Sequence, residues 1–195
     1  MNKVQYSFAI ILIASGLVIG AGILVHALYY APEKEVDAAN PPFFLATSTY
    51  PTQITIPAVG VDAKVEEVGL TYIGNMGTPK FLADTGWYKY GTLPGENGSA
   101  VIDGHVDNGL GLAGVFKNLK KVKIGDDIYV TADDDRTLHF SVIDVETYYY
   151  MSMPLTFIFN RTGGAYLNLI TCDGNWIPEA KTDDHRIVVY AKLIS

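Results

Sequence analysis

The chain holds one cysteine, Cys172, and four histidines. A lone cysteine has no partner for an intrachain disulfide, and without a CxxC pair it neither completes a zinc finger nor runs thiol–disulfide exchange. Cys172 is therefore either a buried, inert thiol or a catalytic nucleophile. It follows the strand-like run Tyr166-Leu167-Asn168-Leu169-Ile170-Thr171 and precedes Asp173-Gly174-Asn175, which is expected to break that strand. A thiol at the end of a strand, beside a loop, is within reach of a substrate.

Arg186 opens a second run, Arg186-Ile187-Val188-Val189-Tyr190-Ala191. If the two strands pair antiparallel, the end of the first lies beside the start of the second. The thirteen residues between Cys172 and Arg186 then form a loop over that edge. A guanidinium so placed favours the thiolate and can hold a developing oxyanion. The plainer alternative is a surface ion pair with Asp183 or Asp184.

His105 follows Val101-Ile102-Asp103-Gly104, at the exit of another strand-like run. An imidazole within reach of a thiol takes its proton and later protonates a leaving amine. The alternative is a core histidine bonded to the backbone. His26 lies in an apolar N-terminal stretch, and His139 falls mid-strand, where a structural role is expected. His185 is the competitor for acid–base work. Adjacent strand residues face opposite sides, so His185 and Arg186 should not both face Cys172.

No metal or cofactor is expected. His105 and Asp107 lack a third ligand at a suitable spacing. Asp133-Asp134-Asp135 offers calcium-type oxygens, but its consecutive acids lack the EF-hand spacing, so a hairpin turn is expected. The sequence has no GxSxG elbow, no HExxH and no phosphate loop.

These residues need a scaffold of short strands. Gln53–Ile56, Ser99–Ile102, Asp127–Thr131, Leu138–Ile143, Tyr166–Thr171 and Arg186–Leu193 are β-branched or alternating and bounded by Gly, Pro and Asp. They predict an all-β barrel or sandwich. Val115-Phe116-Lys117-Asn118-Leu119-Lys120 predicts a short helix. With 195 residues, 49% of them hydrophobic, the chain can fill one core. Its net charge of −7, with Lys and Arg scattered, excludes a nucleic-acid binder.

From Val4 to Ala31 there is no Asp, Glu, Lys or Arg. That length suffices for a transmembrane helix, which takes about 20 residues. Gly16 and Gly20 have the spacing of a helix-contact motif. Lys3 precedes the run and Glu33, Glu35 and Asp37 follow it, which predicts a cytoplasmic N-terminus and an exported domain. A cleaved signal peptide with a site near Val25-His26-Ala27 is the rival reading. Residues 31–52, rich in proline, read as a linker. Its apolar island Phe43-Phe44-Leu45 would either dock on the domain as a lid or lie near the membrane. The expected organisation is residues 1–30 as stub and anchor, 31–52 as linker and 53–195 as the catalytic domain.

Taken together the motifs resemble the sortase family. ITIPAVGVDAKVEEVG (54–69) is similar to its opening strand and turn, and GWYKYGTLPGENGSAVIDGHVD (86–107) to the segment ending in the catalytic histidine. VFKNLKKVKIGDDIYV (115–130) matches its short helix and next strand. LNLITCDG (167–174) resembles the TLxTC motif, with Leu169-Ile170 a departure in its first two places. DDHRIVVYAKL (183–193) is similar to the final strand carrying the arginine. The wording GWY…PGE…GHVD looks most like the class E and class F branches. No second apolar span follows the domain, unlike the pilus-building branch.

The resemblance implies a closed eight-stranded β-barrel behind one N-terminal membrane helix. It implies a cysteine transpeptidase that cleaves an LPxTG-like sorting motif between Thr and Gly through a thioester. The roles it implies are nucleophile for Cys172, proton transfer for His105 and oxyanion stabilisation for Arg186. Its partners would be surface proteins bearing the motif and an amine acceptor such as a peptidoglycan cross-bridge. The segment 145–165 would face substrate. Tyr149, Met151, Phe157, Trp176 and Thr171 are the expected substrate contacts, although such aromatic groups also suit a core. Two other functions remain open: a membrane-tethered β-domain binding a cell-surface partner without catalysis, and another exported cysteine acyl-transferase, whose SxGC-type loop is missing.

Overall fold

A computed structural model describes residues 18–31, 35–36, 49–108 and 110–194. The chain forms two compact units, Met1–Tyr30 and Ala31–Ser195. In the first, residues 18–29 form helix α1, with Val18, Ile19, Ile23, Leu24 and Val25 exposed. No helix among the described residues is long and apolar enough to cross a membrane. Residues 4–17 of the expected span lie outside the described residues, as does the island Phe43-Phe44-Leu45.

Among its described residues the second unit has ten strands: β1 (Glu35–Val36), β2 (Pro51–Ile56), β3 (Val61–Val68), β4 (Leu70–Thr71), β5 (Thr85–Tyr88), β6 (Gly98–Gly104), β7 (Asp127–Ala132), β8 (Thr137–Tyr149), β9 (Ala165–Ile177) and β10 (Thr182–Leu193). Strands β1 and β4 pair as a separate ribbon. The other eight close into a barrel in the order β10-β8-β7-β2-β3-β5-β6-β9. This is the expected all-β, closed eight-stranded fold. Closure leaves no open edge. The pairs β3–β5 and β6–β9 are parallel, and the other barrel pairs are antiparallel.

Alternation sorts side chains between the barrel interior and its outer face. In β3 it is plain, with Val61, Ala63, Val65 and Val68 buried and Asp62, Lys64 and Glu67 exposed. The interior holds Ile54, Trp87, Ile102, Phe116, Phe140, Leu169, Ile187 and Val189 among others. Strand β10 buries both of its faces. Ile187, Val189 and Ala191 point into the barrel, whereas Val188 and Tyr190 join a second cluster with Val101, Ile170 and Ile158. Double burial explains why this strand reads as an unbroken apolar run.

That outer cluster is roofed by helix α2 (Leu155–Phe159), which seats Ile158 in it. The buried Asn168 side chain donates through Nδ2 to the Ile158 carbonyl. Arg161 is stacked between the Phe157 and Tyr166 rings, its guanidinium carbon 4.6 and 3.8 Å from their centroids. These contacts fix a five-residue helix too short to be stable alone.

Several local expectations change. Val115–Lys120 forms turns followed by a 3-10 turn at Leu119–Lys121, not an α-helix. Residues 145–149 continue β8, so the excursion over the outer face starts at Tyr150. Asp173-Gly174-Asn175 does not end β9, which runs on to Ile177 and pairs with an earlier start of β10 at Thr182. Gly174 accommodates the bend with φ +95°, and Asp184 accepts the Asn175 backbone N–H at 2.8 Å. The acidic run 133–135 is the β7–β8 turn, as expected: Asp135 takes φ +65° and Asp133 accepts the Tyr50 N–H.

Candidate active site

Three adjacent strands carry the three expected residues to one level of the barrel. On the antiparallel pair β9–β10, Cys172 and Arg186 are direct Cα partners. Directly opposed residues of such a pair project to the same side. Ile170 and Val188 are the next pair on that side, and both belong to the outer cluster. Cys172 and Arg186 therefore stand on the outer face, at the end of an apolar floor.

Strand β6 lies on the other side of β9, parallel to it, with Asp103 opposite Ile170. Two residues further along both chains, the same stagger sets His105 level with Cys172. One hydrogen bond holds this junction: Thr171 donates through Oγ1 to the Gly104 carbonyl at 2.8 Å, fully inside the protein. Thr171 is paired with the interior residue Ile187, so it faces away from Cys172. Its position is that of a clamp between β6 and β9, in place of the expected substrate contact.

The backbone after β6 is pinned as well. Phe116 and Gly114 donate their N–H groups to the carbonyls of His105 and Val106, at 3.0 and 2.9 Å. Gly114 packs directly on the His105 carbonyl, where any side chain would collide. The His105 ring is half-buried, and its Nε2 lies 2.9 Å from the Pro79 carbonyl. A carbonyl only accepts, so Nε2 carries hydrogen and Nδ1 is left to gain and lose the mobile proton.

The Arg186 guanidinium is held by its own hairpin. Nη1 donates to the carbonyls of Asp183 and His185 at 2.9 and 2.8 Å, and Nη2 donates to Thr182 Oγ1. Three of its five N–H donors are thereby used. Its Nε–H and one Nη2 hydrogen take no partner among the described residues. His185 lies elsewhere: it pairs with Asp173, and its Nδ1 sits 2.7 Å from Asp184 Oδ1. His139 is a strand residue stacked on Tyr129 with Nε2 2.7 Å from Asp127.

Charge is arranged around the rim. Lys117 pairs with Asp107 at 2.8 Å and Lys120 with Asp173 at 3.2 Å, which ties the segment after His105 to the residue after Cys172. Burial, reinforced by the neighbouring Asp107 and opposed by Arg186, raises the Asp183 carboxyl above the usual range.

The other expected contacts divide. Phe157 is partly exposed and sets its ring against Tyr190, 5.3 Å away, on the outer face. Met151 and Trp176 are exposed, and Trp176 sits out on the β9–β10 hairpin opposite Asp183. Tyr149 pairs with His185 and packs edge-on to that ring and to Tyr150. Tyr148, which is the partner of Arg186, takes the floor position instead. Its hydroxyl accepts from Tyr190 at 3.1 Å, and burial raises the Tyr190 phenol well above its ordinary value. Strand alternation counted from Arg186 was the signal that separates Tyr148 from Tyr149. Met76, Tyr88, Met153 and Phe159 complete the floor, and no periodicity in the sequence marks them.

Comparison with known proteins agrees with the fold. The Sortase domain family model matches residues 54–194. Among solved structures, a lid mutant of sortase A from Corynebacterium diphtheriae superposes with a TM-score of 0.58 at 23% identity, covering 77% of this chain and 73% of that one. Sortase C-1 from Actinomyces oris gives 0.57 at 25% identity over 73% and 72%. The pilus-related sortase C of Group B Streptococcus gives 0.61 at 22% identity over 83% and 76%. No curated protein matches. A family match spanning the whole barrel, with the histidine, cysteine and arginine segments inside it, identifies the chain as a member of the sortase family.

Proposed function

We propose that the chain is a cysteine transpeptidase acting on an LPxTG-like sorting motif, with Cys172 as nucleophile, His105 as proton carrier and Arg186 as oxyanion stabiliser. The carrying observation is the direct pairing of Cys172 with Arg186, with His105 immediately past the end of the neighbouring strand β6, whose register with β9 runs to Asp103 and Ile170. The Cys172 thiolate attacks the carbonyl carbon of the Thr–Gly bond, and a tetrahedral oxyanion forms. The two N–H groups of Arg186 outside its own hairpin are suited to meet it. As the C–N bond breaks, His105 gives its proton to the departing amine and a thioester remains. An incoming amine then attacks the thioester, loses its proton to His105, and releases Cys172 as the C–S bond breaks.

The half-buried Tyr148, Tyr88 and Met153, at the border of the cluster that α2 covers, suit the Leu and Pro of such a motif. Phe157 packs on Tyr190 of the same face, and the exposure of Phe157, Met151 and Trp176 leaves them available to substrate. The segment 86–107 supports a place beside the class E and class F branches. The uncharged run from Val4 to Ala31 supports a single-pass anchor that holds the barrel outside the membrane, where sorting motifs and cross-bridge amines are found.

Incubation with a library of LPxTG-like peptides tests the reading. Cleavage between Thr and Gly by the natural chain, and none by Cys172→Ala, is expected. Equal cleavage by both would contradict it.

A further inference from the structure

The His105 ring takes its orientation from the Pro79 carbonyl, so whatever places Pro79 also places the imidazole. Pro79 is buried at the end of a long connection from β4 to β5. That connection is folded back on itself: Gly77 donates to the Gly69 carbonyl at 2.9 Å, Leu70 bridges Met76, and Thr71 donates to the Asn75 carbonyl. It is also strapped from outside by residues that precede the barrel. Ala31 donates its N–H to the carbonyl of Lys80, the residue after Pro79. Glu35 and Val36 add a strand to Thr71 and Leu70.

Glu35 is the lock of this strap. Its Oε2 accepts the Gly69 N–H at 2.9 Å, and its Oε1 occupies the room that a side chain on Gly77 would fill. One carboxylate thus lies between the two ends of the fold-back, Gly69 and Gly77, two residues from Pro79. We propose that Glu35 is a positioning residue for catalysis: through the connection 69–80 it holds the Pro79 carbonyl against His105 Nε2, which keeps the proton-exchanging nitrogen at Nδ1. The segment before the barrel is then part of the catalytic apparatus. This rests on the reading of His105 as proton carrier. A misplacement of about 1 Å in such a group costs as much as a hundredfold in rate.

The test uses the whole chain in detergent, with two measurements. Ring ¹⁵N shifts of His105 report its tautomer and need no turnover, and steady-state peptide cleavage separates kcat from KM. Glu35→Ala should mix the two tautomers and lower kcat by about tenfold or more, with KM and Tm close to the natural chain. Glu35→Gln, whose amide oxygen still accepts from Gly69, should restore both. Gly77→Ala, whose methyl group would displace the Glu35 carboxylate, should reproduce the Glu35→Ala result without altering the strap itself. Should Glu35→Ala lower Tm, Gly77→Ala decides by the same two measurements. A His105 ring that stays in the Nε2–H form in both variants overturns the proposal. A chain that cleaves no peptide in any form refutes the transpeptidase reading instead, and the tautomer measurement still decides the strap.

Discussion

Cys172 and Arg186 face each other across the β9–β10 ladder as direct partners, so the separation of their backbones is set by strand pairing and not by a loop. The proposed nucleophile and the arginine are thereby rooted in the same rigid ribbon. Rigidity of this kind is what an electrostatic role needs, since preorganised donors cost no rearrangement during reaction.

Arg186→Lys should lower kcat by about a hundredfold with a smaller change in KM. Lysine presents a point charge with no planar fork, and it cannot bond Asp183, His185 and Thr182 while still offering N–H groups to an oxyanion. Steady-state cleavage of a sorting-motif peptide checks this. A variant with natural kcat would remove Arg186 from oxyanion stabilisation.

Thr171→Val keeps the shape of a buried side chain but leaves the Gly104 carbonyl without its 2.8 Å donor. Loss of a buried partner costs about 1–3 kcal/mol. Thermal unfolding should therefore fall by several degrees. Because Gly104 precedes His105, kcat should fall as well, beyond the effect of a comparable core substitution such as Val142→Ala.

Much of this site is visible in the sequence, and the limits of that reading are physical. The strand exit at His105 could be placed because Gly104 interrupts a β-branched run, whereas the exit expected at Cys172 is not there, since β9 runs on to Ile177. The antiparallel pairing of Cys172 with Arg186 entered as a condition, with the thirteen residues between them as a loop; the pairing holds, but most of those residues belong to the two strands. The continuation of β9 through Asp173-Gly174-Asn175 could not be placed, because their turn preference is overridden by pairing with β10 and by the Asp184 carboxylate. The parallel pairing of β6 with β9, which brings His105 alongside, joins residues 67 apart in the chain and leaves no local trace. Nothing local in the sequence separates Tyr148 from Tyr149; the register of β8 with β10, which pairs Tyr148 with Arg186 and Tyr149 with His185, does.

Tyr148→Ala should raise KM for a sorting-motif peptide several-fold, since it removes a ring from the outer-face floor and leaves Tyr190 without its hydroxyl partner. Tyr149→Ala should leave KM nearly unchanged, because that ring packs on His185 and Tyr150. The reverse order of effects would place the groove on the other side of β8.

Asp183 carries a pH signature. Burial and Asp107 raise its carboxyl in the folded chain, so the folded state holds the proton more tightly than the unfolded one. Stability contributed by the protonated form is present below the unfolded value and is lost as pH rises through the folded one. Asp183→Asn should then raise Tm by about 1–2 °C at pH 7 and leave it unchanged near pH 3. Thermal melts at the two pH values check both halves.

The central claim is that Cys172 carries the acyl group. The direct measurement is intact-mass and peptide-mapping mass spectrometry of the chain incubated with a cleavable sorting-motif peptide and no amine acceptor. The account predicts an adduct equal to the peptide up to its Thr residue, localised to Cys172, removed by added amine and absent in Cys172→Ala. Peptide cleavage that proceeds in Cys172→Ala at the natural rate, or an adduct on any other residue, would contradict it.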